Sequence, residues 1–215
     1  LANEGNMIDA FNKDLDIHRV TASVINNIKL EDVTKEQRRD AKSVNFGIIY
    51  GMGPRKLSRD TGLSFKSAKE YIDKYFFINK NIEKYINDII NFARDNEYVE
   101  NIVGRRRYLR EINSSQPQVR NQAERMAQNM PIQGLAADIM KIAMRKVFDK
   151  INNLNEQDNV RILLQVHDEL VFEVKESSLG FMNIIKETME SAFNLPNNVK
   201  LKAEIEIGDN WGEMN

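Results

Sequence analysis

The spacing of apolar side chains changes character along this chain, and that change limits the fold more than any other feature. Through most of residues 6 to 150, apolar residues recur at the three-to-four spacing of amphipathic helices. "SFKSAKEYIDKYFFI" after Gly62, "NIEKYINDIINFARDN" and "QVRNQAERMAQNM" each carry that pattern. "VGRRRYLREI" breaks the period and contains Gly104, so it predicts a turn with short extended pieces. Beyond residue 160 the pattern changes: "ILLQV" (162 to 166) and "LVFEV" (170 to 174) are strand-like apolar runs separated by "HDE", and "KLKAEIEI" alternates strictly. "SSLGFMNIIKETMESAFN" predicts a helix that could cover a small antiparallel sheet. The expected class is α+β, with a helical first part and a last third that mixes strands with helices.

A chain of 215 residues with 41% hydrophobic content can bury a core. The absence of cysteine excludes a disulfide framework and a thiolate metal site. No uninterrupted run of about 18 apolar residues exists, and the N-terminus has no charged-then-apolar signal pattern. These features predict a soluble globular chain with no membrane association, and cytoplasmic location is the default reading. The sequence opens at Leu1 with a helix-like segment already under way, which predicts a piece of something longer.

The net charge of −1 argues against a nucleic-acid binder, but its distribution is uneven. Residues 35 to 59 hold seven cations against two acids, and residues 101 to 125 hold six against two. Residues 151 to 180 reverse the sign, with two cations against six acids. Two basic regions and an acidic one suit a polyanion grip beside a cation site, and ordinary fluctuation of charge is the competing account.

"RRDAKSVNFGIIYG", residues 38 to 51, gives the first region a geometry. Thr34 followed by Gln37 is a capping-box signature, so a helix is expected from there to Gly51. At about 100° per residue, Arg38, Lys42, Phe46 and Tyr50 step slowly round one side, with Arg39 in the same arc. Ala41, Val44 and Ile48 face the other way. One face is thus cationic first and aromatic later, suited to phosphates at one end and a stacked base or sugar at the other. A solvated face with two aromatics tucked under a neighbour would share the pattern. In "QVHDELVFEV", residues 165 to 174, two strands would expose His167, Asp168 and Glu169 at a hairpin tip. A carboxylate pair on rigid strands suits a hard cation such as Mg²⁺, and a plain polar turn is the alternative.

Taken together, these stretches resemble the family A DNA polymerases, the bacterial DNA polymerase I type. "RRDAKSVNFGIIYG" is similar to the family's fingers-helix motif and "QVHDELVFEV" to its carboxy-terminal palm motif. "DIHRVTA", "GRRRYL", "ERMAQNMPIQGLAADIMK" and the closing "GDNW" also match in order, over essentially the whole chain. The resemblance implies a palm-fingers junction over residues 1 to 15, a fingers subdomain over 16 to 115 and a carboxy-terminal palm portion over 116 to 215. It implies that Arg38 and Lys42 bind the incoming dNTP's triphosphate, with His18 near it and Arg39 on the same helix. Phe46 would lie against the nucleotide sugar and base, and Tyr50 at the template-base position. Arg125, Asn129 and Gln133 would contact primer-template DNA, and Arg107 would belong to a backbone-facing basic loop. Asp168 would bind metal, with Glu169 its acidic neighbour and His167 near the primer terminus.

Nucleotidyl transfer is an in-line phosphoryl displacement, assisted in this family by two metal ions about 4 Å apart, here expected as Mg²⁺. Two metals need two bridging aspartates. The resemblance places the first in a motif read as D-Y-S-Q-I-E-L-R, ahead of a stretch like "LANEGNMIDAF", where this sequence opens. Asp9, Asp14 and Asp16 are no substitute, because they sit in a polar helical or loop stretch. The expected activity is therefore template-directed DNA polymerisation by a longer parent, with these 215 residues inactive alone. A palm sheet lacking that strand would expose an edge open to self-association. A non-catalytic nucleic-acid binding module would explain the basic regions but not Asp168 and Glu169. A metal-dependent phosphohydrolase would explain the carboxylates but not Lys42 beside Phe46 and Tyr50. A single-subunit RNA polymerase is the nearest chemical relative, expected to carry Tyr where Phe46 stands.

Overall fold

A computed structural model describes residues 1–214 and divides into two compact units, Leu1–Gly134 and Leu135–Asn215. Eight α-helices and four short strands occur among the described residues. The α+β class is as expected.

In the first unit, α1 (Gly5–Asn12), α2 (Ile17–Asn26) and α3 (Lys35–Ile49) are followed by α4 (Pro54–Thr61), α5 (Phe65–Ile78) and α6 (Lys80–Asn96). The starts of α3, α4 and α5 have local causes. Thr34 accepts from the Gln37 backbone N–H while the Gln37 side chain accepts from the Thr34 N–H, so the predicted capping box is present in full. Two backbone donors that would otherwise be orphaned at the helix end are thereby satisfied. Ser64 caps α5, and Pro54 opens α4 with its preset φ. Gly51, at φ +68°, takes the left-handed conformation just past α3. A Cβ there would also lie 2.8 Å from Arg125 Cγ, so both backbone and neighbour favour glycine.

The back of α3 enters a core of Ile25, Val44, Ile48, Leu57, Ala68 and Tyr75, and Ala41 joins Ala22 and Val33 in a smaller cluster. A second core, including Ala93, Val99, Leu109, Ile112 and Ala127, joins α6 to β1 (Tyr98–Glu100) and the first half of α7 (Pro117–Asn153). β1 pairs antiparallel with β2 (Arg106–Tyr108) through the turn at Gly104. Buried Asn101 organises that turn, its Oδ1 accepting from the Val103 and Arg105 N–H groups at 3.1 and 3.0 Å. The reading of "VGRRRYLREI" as a turn with extended pieces is correct. Pro131 sits inside α7, where it withholds one N–H from the ladder.

In the second unit, β3 (Val160–Val166) and β4 (Glu169–Val174) form an antiparallel hairpin. α8 (Phe181–Glu190) covers one face, with Phe181 and Ile185 packed beside Val147, Ile151 and Val160. The covering helix over a small sheet is as expected. "KLKAEIEI" is not: residues 200–207 form no strand. Leu201, Ala203 and Ile205 are half-buried and their even-numbered neighbours exposed, so the alternation reports burial correctly. The segment lines a groove of about 490 Å³ opposite β4 and α8 without joining the ladder. A strand needs a hydrogen-bonded neighbour as well as a pattern, and both sheets among the described residues are two-stranded.

Candidate functional site

The residues singled out in the sequence fall into both units. His18, Arg38, Lys42, Phe46, Tyr50, Arg107, Arg125, Asn129 and Gln133 belong to the first; His167, Asp168 and Glu169 belong to the second.

The outward face of α3 has the expected order. Lys42 is exposed, Phe46 and Tyr50 are each 45% exposed, and Ala41, Val44 and Ile48 are buried behind them. Aromatic rings left this open on a helix whose other face is sealed offer a stacking surface. Lys42 has no acidic partner among the described residues, so its charge is available to an anion.

Arg38 has a different arrangement. Its Nε donates to Asp16 Oδ2 at 2.6 Å, and the same carboxylate caps α2 through Oδ1, accepting from the His18 and Arg19 N–H groups. Burial pushes the Asp16 carboxyl up, but the Arg38 hydrogen bond and the two backbone donors outweigh it, leaving it below the usual carboxylate range. Arg19 extends the brace by donating to the carbonyls of Leu30 and Val33. Asp16→Ala is expected to destabilise the protein by about 1–2 kcal/mol at neutral pH, because it removes a cap and an ion-pair partner. Asp16→Asn, which can still cap, should cost under about 1 kcal/mol. A depressed folded-state pKa contributes stability above the unfolded value and loses it as pH falls through the folded one. Thermal melts from neutral pH to about pH 3 should therefore show the gap between Asp16→Asn and the parent closing below about pH 4. A gap that persists in acid would assign the loss to packing.

His18, on α2 beside that cap, meets α3 twice. Its ring lies 5.6 Å from the Phe46 ring, and Asn45 Nδ2 is 3.0 Å from its Nδ1. Burial pushes the His18 pKa down; Arg38 and Lys42 add to this, and Asp16 opposes them.

The C-terminal end of α3 is fixed by a residue the sequence reading missed. Buried Gln128 on α7 donates to the Ile48 carbonyl at 2.5 Å, adding a side-chain donor to an oxygen that also accepts from the Gly51 N–H. Arg125, Asn129 and Gln133 recur every fourth residue on α7, so they share one side of the helix. Arg125 and Gln133 are exposed. Asn129 Oδ1 is buried with no hydrogen-bond partner among the described residues, an acceptor whose unmet bond costs about 1–3 kcal/mol. On β2, Arg107 is exposed and reaches Met126 Sδ at 3.3 Å, while Arg106 pairs with Glu100 and lies 4.6 Å over the Tyr98 ring. Of the three turn arginines, Arg107 has no acidic partner among the described residues.

In the second unit, His167 and Asp168 form the two-residue turn between β3 and β4. Glu169 is not at the tip itself: it is the first residue of β4, paired with Val166, because the ladder closes one residue earlier than the apolar pattern suggests. All three are exposed. His167 has φ +52°, the left-handed conformation that a tight hairpin demands and that Asn-Gly turns usually supply. The Gln165 side chain braces it by donating to the His167 carbonyl at 2.5 Å. Two adjacent carboxylates on a rigid turn fit Mg²⁺, which takes oxygen donors and is commonly held by one or two carboxylates together with substrate phosphates.

The first unit thus carries a helix face that runs from cations to open rings, and the second a turn with adjacent carboxylates. The chain belongs to DNA polymerase family A, whose sequence profile matches residues 1–213. It is 42% identical over 214 residues to the DNA polymerase I of Caldicellulosiruptor bescii, covering 99% of this chain and 25% of that protein. It is 40% identical over 212 residues to the thermostable DNA polymerase I of Thermus aquaticus, covering 98% of this chain and 25% of that one. The solved POL domain of Pol1 from M. smegmatis, in complex with DNA primer-template and dNTP, superposes with a TM-score of 0.87 at 39% identity. That match covers 94% of this chain and 35% of the other. The chain thus spans about a quarter of the length of the curated relatives it matches.

Proposed function

We propose that this chain supplies the nucleotide-selecting helix and part of the catalytic palm of a template-directed DNA polymerase, which transfers a nucleotidyl group from dNTP to a primer 3′-OH. The observation that carries the reading is the outward face of α3, where Lys42, Phe46 and Tyr50 stand open in that order. In this proposal residues 16 to 115 act as fingers and 116 to 215 as palm, with 1 to 15 the junction between them.

Lys42 binds the triphosphate directly. Arg38 joins it by exchanging the Asp16 carboxylate for a phosphate oxygen, one anion for another, so its guanidinium is not left unpaired in either state. His18 lies near the same phosphates. Phe46 packs on the sugar and base, and Tyr50 occupies the template-base position until the nucleotide enters. Arg125, Asn129 and Gln133 contact primer and template, and the orphaned Asn129 Oδ1 awaits a donor there. Arg107 faces the DNA backbone, and His167 the primer terminus. The primer 3′-OH gives up its proton to solvent as its oxygen forms a bond to the α-phosphorus, the bond from that phosphorus to the bridging oxygen breaks, and pyrophosphate leaves. Asp168 and Glu169 would hold Mg²⁺, which when bound supplies neutralisation of the phosphoryl charge. The cations of α3 share that load, and most of the protein's contribution is position and fixed charge. The cytoplasm is the expected location of such an activity.

Single-nucleotide primer extension with Mg²⁺ tests the proposal, comparing these 215 residues with the same chain extended upstream through the motif that carries the other expected aspartate. Only the extended chain should incorporate the templated nucleotide. If neither does and both still bind primer-template, a non-catalytic nucleic-acid binding module replaces the polymerase reading. Incorporation by the 215 residues alone would remove the argument from the second aspartate. The open edges of the β3–β4 hairpin make self-association part of the proposal for the isolated chain.

A further inference from the structure

Asn45 is a polar residue in an apolar place. It lies on the buried side of α3 beside Val44 and Ile48, and it is only 5% exposed. A buried amide must place its hydrogens, since each one left unmet keeps the full cost of its lost hydration. Asn45 Nδ2 has two candidates within reach: Thr21 Oγ1 at 3.1 Å and His18 Nδ1 at 3.0 Å. Thr21 Oγ1 also lies 2.9 Å from the Ile17 carbonyl and 3.1 Å from Asn45 Oδ1, two oxygens that can only accept. With its single proton given to either of these, the threonine oxygen still accepts from Asn45 Nδ2. In either case Asn45 places both amide hydrogens, one on Thr21 Oγ1 and one on His18 Nδ1.

The opposite amide orientation is worse. Turning the Asn45 side chain over would set its oxygen against His18 Nδ1 and leave one amide hydrogen buried without an acceptor. A carbonyl short of one donor is cheaper than a buried N–H with nowhere to go. The His18 ring therefore receives a hydrogen bond at Nδ1, and its own proton stands on Nε2. Among the described residues Nε2 has no hydrogen-bond partner.

We infer that Asn45, seated by Thr21, is a positioning residue that holds His18 in the neutral Nε2–H form, so that a fixed donor faces an acceptor oxygen of the bound nucleotide. The identity of the acceptor rests on the function proposed above; the tautomer does not. Burial of the ring favours the neutral form; of the charged groups around it, Asp16 opposes this and Arg38 and Lys42 on α3 add to it. A neutral N–H donor gives direction, whereas the two neighbouring cations supply charge.

The chain has only two histidines, His18 and His167, so its imidazole spectrum contains two spin systems, and His18→Gln assigns them. Long-range ¹H–¹⁵N correlation of the 215-residue protein at about pH 8 reads the tautomer directly. His18 should show a single Nε2–H pattern, and the exposed His167 an averaged one. Asn45→Asp replaces the donor by an acceptor and should move the His18 proton to Nδ1. Thr21→Val, which unseats the amide without touching the ring, should convert the pure pattern into a mixture and serves where Asn45→Asp does not fold. A wild-type His18 that is Nδ1–H or mixed, or a pattern unmoved by both variants, overturns the inference. Titration with dATP then separates the two readings. A correct tautomer whose Nε2 resonance ignores dATP keeps the positioning pair and removes the nucleotide site. A response to dATP from the wrong tautomer does the reverse.

Discussion

Asp168→Asn, introduced into the upstream-extended chain, is expected to lower templated incorporation by about 10³-fold or more while leaving the melting temperature unchanged. The exchange keeps the shape of the side chain and removes one formal charge. Several kcal/mol of transition-state charge stabilisation depend on the cation such a carboxylate holds, and each 1.4 kcal/mol is roughly a factor of ten in rate. Stability should not follow, because Asp168 is exposed in a two-residue turn whose geometry comes from His167 and the Gln165 brace. Rapid-quench extension and a thermal melt on the same preparation check both halves. A fall in rate matched by a fall in melting temperature would make Asp168 a turn residue, and an unchanged rate would remove it from the metal site.

The second large effect belongs to Lys42. Lys42→Ala in the extended chain is expected to cost about 10²–10³-fold in kcat/KM for dNTP, the scale of losing one preorganised electrostatic contact to a developing charge. Binding of primer-template should change little, since the side chain faces the triphosphate in the proposed arrangement. The helix tolerates the exchange: Lys42 is exposed, alanine is the better helix former, and no ion pair among the described residues is lost. Arg38→Ala should be milder in its effect on folding than Asp16→Ala, because a surface cation leaves without stranding a cap. Steady-state kinetics at two salt concentrations distinguish the outcomes. A uniform loss of DNA affinity with intact kcat would move Lys42 from the nucleotide to the duplex.

Much of this site could be read in the sequence because α3 is governed by local rules. The Thr34–Gln37 pair, the buried stripe of Ala41, Val44 and Ile48, and Gly51 past the end each act over a few residues, and each is where local chemistry puts it. The hairpin was legible for the same reason, since two apolar runs three residues apart leave little choice of connection. What the sequence concealed depends on distant partners. Asp16 reads as a polar loop residue until Arg38, 22 positions on, supplies its ion pair. Gln128 bonds a carbonyl 80 residues away, and no spacing announces that. Asn45 did leave a trace: it falls four residues after Ala41 and three before Ile48, a polar residue inside an apolar stripe. "KLKAEIEI" misled in the opposite way, because alternation describes which side chains are covered and says nothing about who pairs with the backbone.

The pinning of α3 at both ends, by the Thr34 box and by Gln128, makes the helix a ruler. Arg38, Lys42, Phe46 and Tyr50 are marks about 6 Å apart along its axis, each turned by roughly 40° from the last. In the proposed arrangement a nucleotide presents phosphates, sugar and base along its own length, so the graduations would have to keep their interval for all its parts to be met at once. Exchanging the residue at a mark alters one contact. Adding or removing a single residue between marks would swing every later one by about 100° and carry Phe46 and Tyr50 off the open face together. Point variation and length variation in this segment are therefore unequal: the first tunes the grip, and the second abolishes the scale on which it is laid out.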